Sequence, residues 1–78
     1  MELAEFIEAI KEEFEQEEQA NVKAEVVFRD LESWNSMMAL IIIAKIDSTY
    51  NVSISADELA EAKTFQDLFE LTQNKAAQ

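Results

Sequence analysis

Apolar residues open the chain at Leu3, Phe6, Ile7, Ile10 and Phe14, the i, i+3, i+4, i+7, i+11 spacing that puts side chains on one helical face. Glu2, Glu5, Glu8, Glu12 and Glu13 take the other positions, and early acidic residues suit the positive end of a helix dipole. From Gln16 to Asn35 the pattern loosens. A polar stretch is followed by Val22, Val26, Val27, Phe28, Leu31 and Trp34 at no fixed period. These apolar residues predict an ordered loop, with room for a helical turn, pinned to the rest of the fold. A connection this long in a compact domain is usually functional. A short strand at Glu25–Phe28 competes with that reading, but no partner strand is obvious.

A second long helix is predicted from about Ser36 to Tyr50. Met37, Leu40, Ile41, Ala44 and Ile46 supply one face, and Ile42 and Ile43 widen it nearly to the full circumference. Such a helix is buried on most sides or leaves an apolar patch exposed. Lys45, Asp47 and Ser48 mark its wet side. Asn51 then stands where a left-handed residue ends a helix. Ser55-Ala56-Asp57-Glu58 reads as a capping box opening a short helix to about Ala62. Thr64-Phe65-Gln66-Asp67 opens a last helix with Phe65, Leu68, Phe69 and Leu71 as its apolar face, and Asn74–Gln78 should fray. The expected fold is all-α, a four-helix bundle of three principal helices and one short third helix. A long loop separates helices 1 and 2, and residues 1–78 form one domain without repeat or linker.

Composition narrows the chemistry. A 78-residue chain removes only about 60–65% of its unfolded surface from water, so the core is thin. The chain has no Cys, His or Gly. That excludes thiol nucleophiles, the usual zinc sites, the commonest neutral-pH general base and glycine-rich phosphate loops. The inventory predicts a protein that is not an enzyme and holds no metal. A net charge of −11 repels nucleic acid and anionic membrane and favours partners with basic surfaces. The start MELAEFIEAI has neither a basic segment nor an uninterrupted apolar run, and Met37–Ala44 is too short to span a bilayer. The expectation is a cytoplasmic monomer that does not insert into membranes.

One position is suited to chemistry supplied from outside. Ser36 closes the loop and opens the most apolar helix, in the run Trp34-Asn35-Ser36-Met37-Met38. Free N–H groups and the dipole at a helix start favour an attached phosphate, by roughly 0.3–1 kcal/mol when exposed. The competing reading is a plain N-cap, worth about 1 kcal/mol. Asn35 could take the cap instead and leave Ser36 free.

From about Leu31 to Leu71 these residues resemble the acyl carrier protein family. Asn35-Ser36-Met37 is similar to the Asp-Ser-Leu motif whose Ser receives 4′-phosphopantetheine. Tyr50-Asn51-Val52 matches the family's Phe-Gly-Val/Ile step, Ser55–Leu59 its acidic third helix, and Thr64–Leu68 its Thr-Val-x-Asp-Leu opening of the last helix. The resemblance implies that Ser36 carries the covalent arm, flanked by Asn35 and Met37. It also implies that acyl groups ride on the arm as thioesters, in fatty-acid, polyketide or related biosynthesis. The implied partners are a phosphopantetheinyl transferase and acyl-transferring or synthase enzymes with basic surfaces. Asp47, Asp57, Glu58, Glu61 and Met38 are the candidate contacts. Asn35 and Asn51 depart from the family's Asp and Gly. An unmodified interaction module with this fold is the alternative, and an acidic nucleic-acid mimic a more distant one.

Overall fold

The computed structural model describes residues 1–77. Helices α1 (Leu3–Lys11), α3 (Ser36–Tyr50) and α5 (Phe65–Ala76) form the bundle, with short α4 (Ala56–Glu61) and a one-turn α2 (Gln16–Gln19). A 3-10 turn spans Phe28–Asp30. The all-α bundle expected from the sequence is the observed architecture. α1 packs against both α3 and α5, and α4 packs against α3.

α1 buries Phe6 and Ile10 but stops at Lys11, short of the Phe14 that its periodicity reached. Glu13 and Phe14 donate to the carbonyls of Ile10 and Lys11, each at 3.0 Å. These i→i+3 bonds tighten the end of the helix. Phe14 is buried nonetheless, edge-on to Phe65 at 6.0 Å. The apolar spacing found the core residue and overran the helix.

The connection between α1 and α3 is an ordered loop laid over the core. Val22 and Phe28 are fully buried, and Val26, Leu31 and Trp34 pack against them. Phe28 lies 4.7 Å from Trp34 and 5.7 Å from Phe65, ring centre to ring centre. The strand partner that the sequence did not reveal is the α4–α5 connection. Val27 and Thr64 form an isolated antiparallel bridge, with Phe28 N–H donating to Lys63 O and Phe65 N–H to Val26 O. A single bridge satisfies buried backbone groups without making a sheet.

α3 differs from expectation in the face it buries. Met38, Ile42 and Ile46 point into the core, whereas Met37, Leu40, Ile41 and Ala44 are exposed. No charged residue interrupts Ser36–Ala44, so periodicity alone could not distinguish the two sides. Contact with α1 and α4 decides which stripe goes inside. At its far end Asn51 takes φ 57°, ψ 40°, and its N–H donates to Asp47 O at 2.8 Å. This is the left-handed stop expected of Asn.

Both α4 and α5 begin with complete capping boxes. Ser55 and Glu58 exchange hydrogen bonds, as do Thr64 and Asp67. α5 buries Phe65, Leu68, Phe69 and Thr72, while Leu71, expected on that face, is half-buried. The Thr72 hydroxyl is satisfied by donating to Leu68 O at 2.8 Å. Asn74–Ala76 are helical, in place of the expected fraying. Lys75 pairs with Glu58 at 2.8 Å, tying the last turn of α5 to α4; Gln78 lies outside the described residues.

Candidate functional site

Asn35 is the N-cap of α3, its Oδ1 accepting from Met38 N–H at 2.8 Å. This assigns the cap to Asn35 and releases Ser36 from that role. Ser36 is the first residue of a 15-residue helix, it is exposed, and its hydroxyl has no hydrogen-bond partner among the described residues. Three of the chain's other serines are engaged: Ser33 with Glu18, Ser48 with Lys45 O and Ser55 in its capping box. Ser53 lies in the connection between α3 and α4, two residues before the Ser55 cap.

The electrostatics at Ser36 contrast with the rest of the surface. α3 has no acidic residue in its first turn. The positive end of its dipole is therefore not offset from within the helix, and an ester phosphate on Ser36 would meet no neighbouring carboxylate there. An Asp at position 35 would add a charge beside Ser36, whereas Asn35 caps without one.

A cleft of about 460 Å³ opens between α3 and α4, lined by Ser36, Trp34, Leu40, Ile43, Leu59 and Arg29. Its walls are mostly apolar. Arg29 donates through its two terminal nitrogens to Ala62 O at 2.6 Å and Leu59 O at 2.8 Å. Its guanidinium lies 4.9 Å from the centre of the Phe28 ring. Sequence reasoning passed over Arg29. The available signal was that it is the chain's one arginine, set beside an aromatic in the loop leading to Ser36.

The remaining expected site residues are scattered. Met37 is 70% exposed beside Ser36, but Met38 is only 8% exposed and belongs to the core. The expectation that Met38 meets partners is corrected on that ground: one step along a helix turns a side chain about 100°, here from water to interior. Asp57 and Glu61 are exposed on α4, the helix that forms the far wall of the cleft. Glu58 is half-buried and engaged within the fold, accepting from Lys75 and from Ser55 N–H. The Lys75 ammonium, then the Ser55 N–H, holds its carboxyl below the usual range. Asp47 is exposed eleven residues along α3, about 16 Å from Ser36 at 1.5 Å per residue.

No group of acidic residues among the described residues could hold a metal ion, and no helix among them is long and apolar enough to cross a membrane. An exposed hydroxyl, a helix start free of carboxylates and an adjoining apolar cleft together fit a covalently attached phosphodiester arm. Comparison with curated proteins and with solved structures found no match. The family model described as the phosphopantetheine attachment site matches residues 4–71, nearly the whole chain, and the protein belongs to that family, whose domain is the site of covalent 4′-phosphopantetheine attachment.

Proposed function

We propose that Ser36 is the residue that carries 4′-phosphopantetheine and that the protein is an acyl carrier, presenting acyl groups to partner enzymes of fatty-acid, polyketide or related biosynthesis. The observation that carries this reading is the division of labour at the start of α3. Asn35 makes the capping bond, so the Ser36 hydroxyl is exposed and available to be esterified. The attached arm supplies a terminal thiol, and hence thioester chemistry, which a chain without Cys lacks.

The chain's own residues supply position and environment. The α3 N-terminus stabilises the phosphodiester through its backbone N–H groups. Trp34, Leu40, Ile43 and Leu59 offer an apolar wall beside the attachment point. Exposed Met37, Leu40 and Ile41 make an uncharged surface next to it. Asp57 and Glu61 on α4, and Asp47 further along α3, steer the carrier towards basic patches on its partners. Glu58, held by Lys75, contributes to α4 more than to that surface.

The test is to incubate the protein with coenzyme A and a broad-specificity phosphopantetheinyl transferase and to weigh the intact chain. The native protein gains the mass of one arm and Ser36→Ala gains none. A gain that survives Ser36→Ala would overturn the assignment.

A further inference from the structure

Arg29 is the single arginine in a chain with 17 acidic residues, yet no carboxylate pairs with it among the described residues. Neutral groups hold it instead. The carbonyls of Leu59 and Ala62 take one N–H from each terminal nitrogen, and the Phe28 ring lies beneath the guanidinium. A guanidinium has five N–H donors, so three are left uncommitted. Its plane is fixed by the contacts already made, and it lines the same cleft as Ser36. The other lining groups named above are apolar or uncharged. A pre-oriented cation in such a cleft distinguishes among ligands tethered at its mouth, because little ordering cost remains to be met on binding.

The geometry points to a cargo class: Arg29 selects acyl groups that end in a carboxylate. The methylenes of such an ω-carboxyacyl chain lie along Leu40, Ile43 and Leu59, and its terminal carboxylate meets the free edge of the Arg29 fork. This inference rests on Ser36 as the attachment residue. The phosphodiester of the arm is the competing anion, but it sits at the α3 N-terminus, where backbone N–H groups serve it. Arg29 is anchored across the cleft on carbonyls at the C-terminal end of α4. A free carboxylate in solution would be repelled by the chain's −11 charge. A tethered one is already present at an effective concentration in the millimolar range or higher, on the order of that for short flexible linkers. The volume of about 460 Å³ lies towards the small end of ligand sites, which run roughly 300–1,000 Å³, and so suits short and medium chains.

The experiment loads the native protein and Arg29→Gln with two acyl groups of matched length from their coenzyme A thioesters. One is adipyl, with a terminal carboxylate; the other is 6-methylheptanoyl, its near-isostere with a branched methyl end. The readouts are amide NMR shifts at Leu59 and Ala60 against the unacylated arm-bearing protein, and the rate of thioester cleavage by hydroxylamine. In the native protein the adipyl form should shift these amides and resist cleavage roughly two- to five-fold more than the 6-methylheptanoyl form, the range of an exposed ion pair. Each variant is referenced to its own unacylated form, because losing the bonds to Leu59 O and Ala62 O moves these amides in every form. On that footing Arg29→Gln should erase the difference and leave the cleavage rate of the 6-methylheptanoyl form unchanged. Arg29→Lys, which keeps the charge and loses the fork, should retain only part of it. If Arg29→Gln loosens α4, the 6-methylheptanoyl form changes too, and the comparison within the native protein decides. Equal behaviour of the two acyl groups in the native protein overturns the assignment. So does an Arg29→Gln change in the phosphorus NMR shift of the arm without any acyl group, since that would place Arg29 on the phosphodiester. A chain that accepts no arm overturns the attachment reading as well; one that loads both groups without discriminating overturns the role of Arg29 alone.

Discussion

The two faces of α3 have nearly the same composition and opposite fates. Met38, Ile42 and Ile46 are in the core, while Met37 and Leu40, 70% and 63% exposed, face water. Burial on the inner face is explained by α1 and α4. Nothing in the fold explains why the outer face is apolar. Stability does not require it, since polar residues on the wet side of a helix cost almost nothing. The outer stripe adjoins Ser36, and its role is best sought in contacts made with other molecules at that site.

The largest expected effect breaks the comparison from the inside. Ile42→Ala or Ile46→Ala should cost about 2–5 kcal/mol in urea unfolding, as deletion from a packed core does, while Leu40→Ala or Ile41→Ala should stay within about 0.5 kcal/mol. Equal losses on both faces would contradict the assignment of the core. Next in size is the cap: Asn35→Ala should cost about 1 kcal/mol, and Asn35→Asp should restore it, because either side chain accepts the Met38 N–H. The outer face is then tested by Leu40→Glu. It should leave the urea midpoint nearly unchanged and lower the transferase's kcat/KM roughly tenfold, as expected when an apolar contact at an interface is lost. An unchanged kcat/KM would remove Leu40 from the transferase's footprint.

The smallest effect concerns pH and the two capped helices, α4 and α5. The Lys75 ammonium and Ser55 N–H depress the Glu58 carboxyl, and the Thr64 and Lys63 N–H groups depress Asp67. A carboxyl with a folded pKa below its unfolded value stabilises the fold above the unfolded value, and that contribution is lost as pH falls through the folded one. Stability should therefore decline below the ordinary carboxylate range. Lys75→Ala should flatten part of that decline, measured as urea midpoints at descending pH.

These comparisons also show what was legible in the sequence. Helices announced by side-chain chemistry were placed well. The Ser55–Glu58 and Thr64–Asp67 boxes and the left-handed Asn51 all appear where their residue types put them. Hydrophobic spacing did less well where it carried no contrast. On α3 it could not choose between two apolar stripes. At Phe14 it carried α1 beyond its end, because a tightened turn can keep a residue on the buried side after the helix has stopped. The Val27–Thr64 bridge joins segments far apart in the chain, so no local pattern signals it. Arg29 was overlooked for a related reason: its partners are backbone carbonyls of α4, which have no side-chain signature.

For Ser36 the sequence narrowed the choice to a cap or an acceptor, and the bond from Met38 N–H to Asn35 takes the cap away from Ser36. The most direct measurement is fragmentation mass spectrometry of the protein after treatment with transferase and coenzyme A, locating the added mass among Ser33, Ser36, Ser48, Ser53 and Ser55. All of the added mass on Ser36 is the predicted result. Mass on any other serine, or no added mass on the folded native chain, would contradict the account.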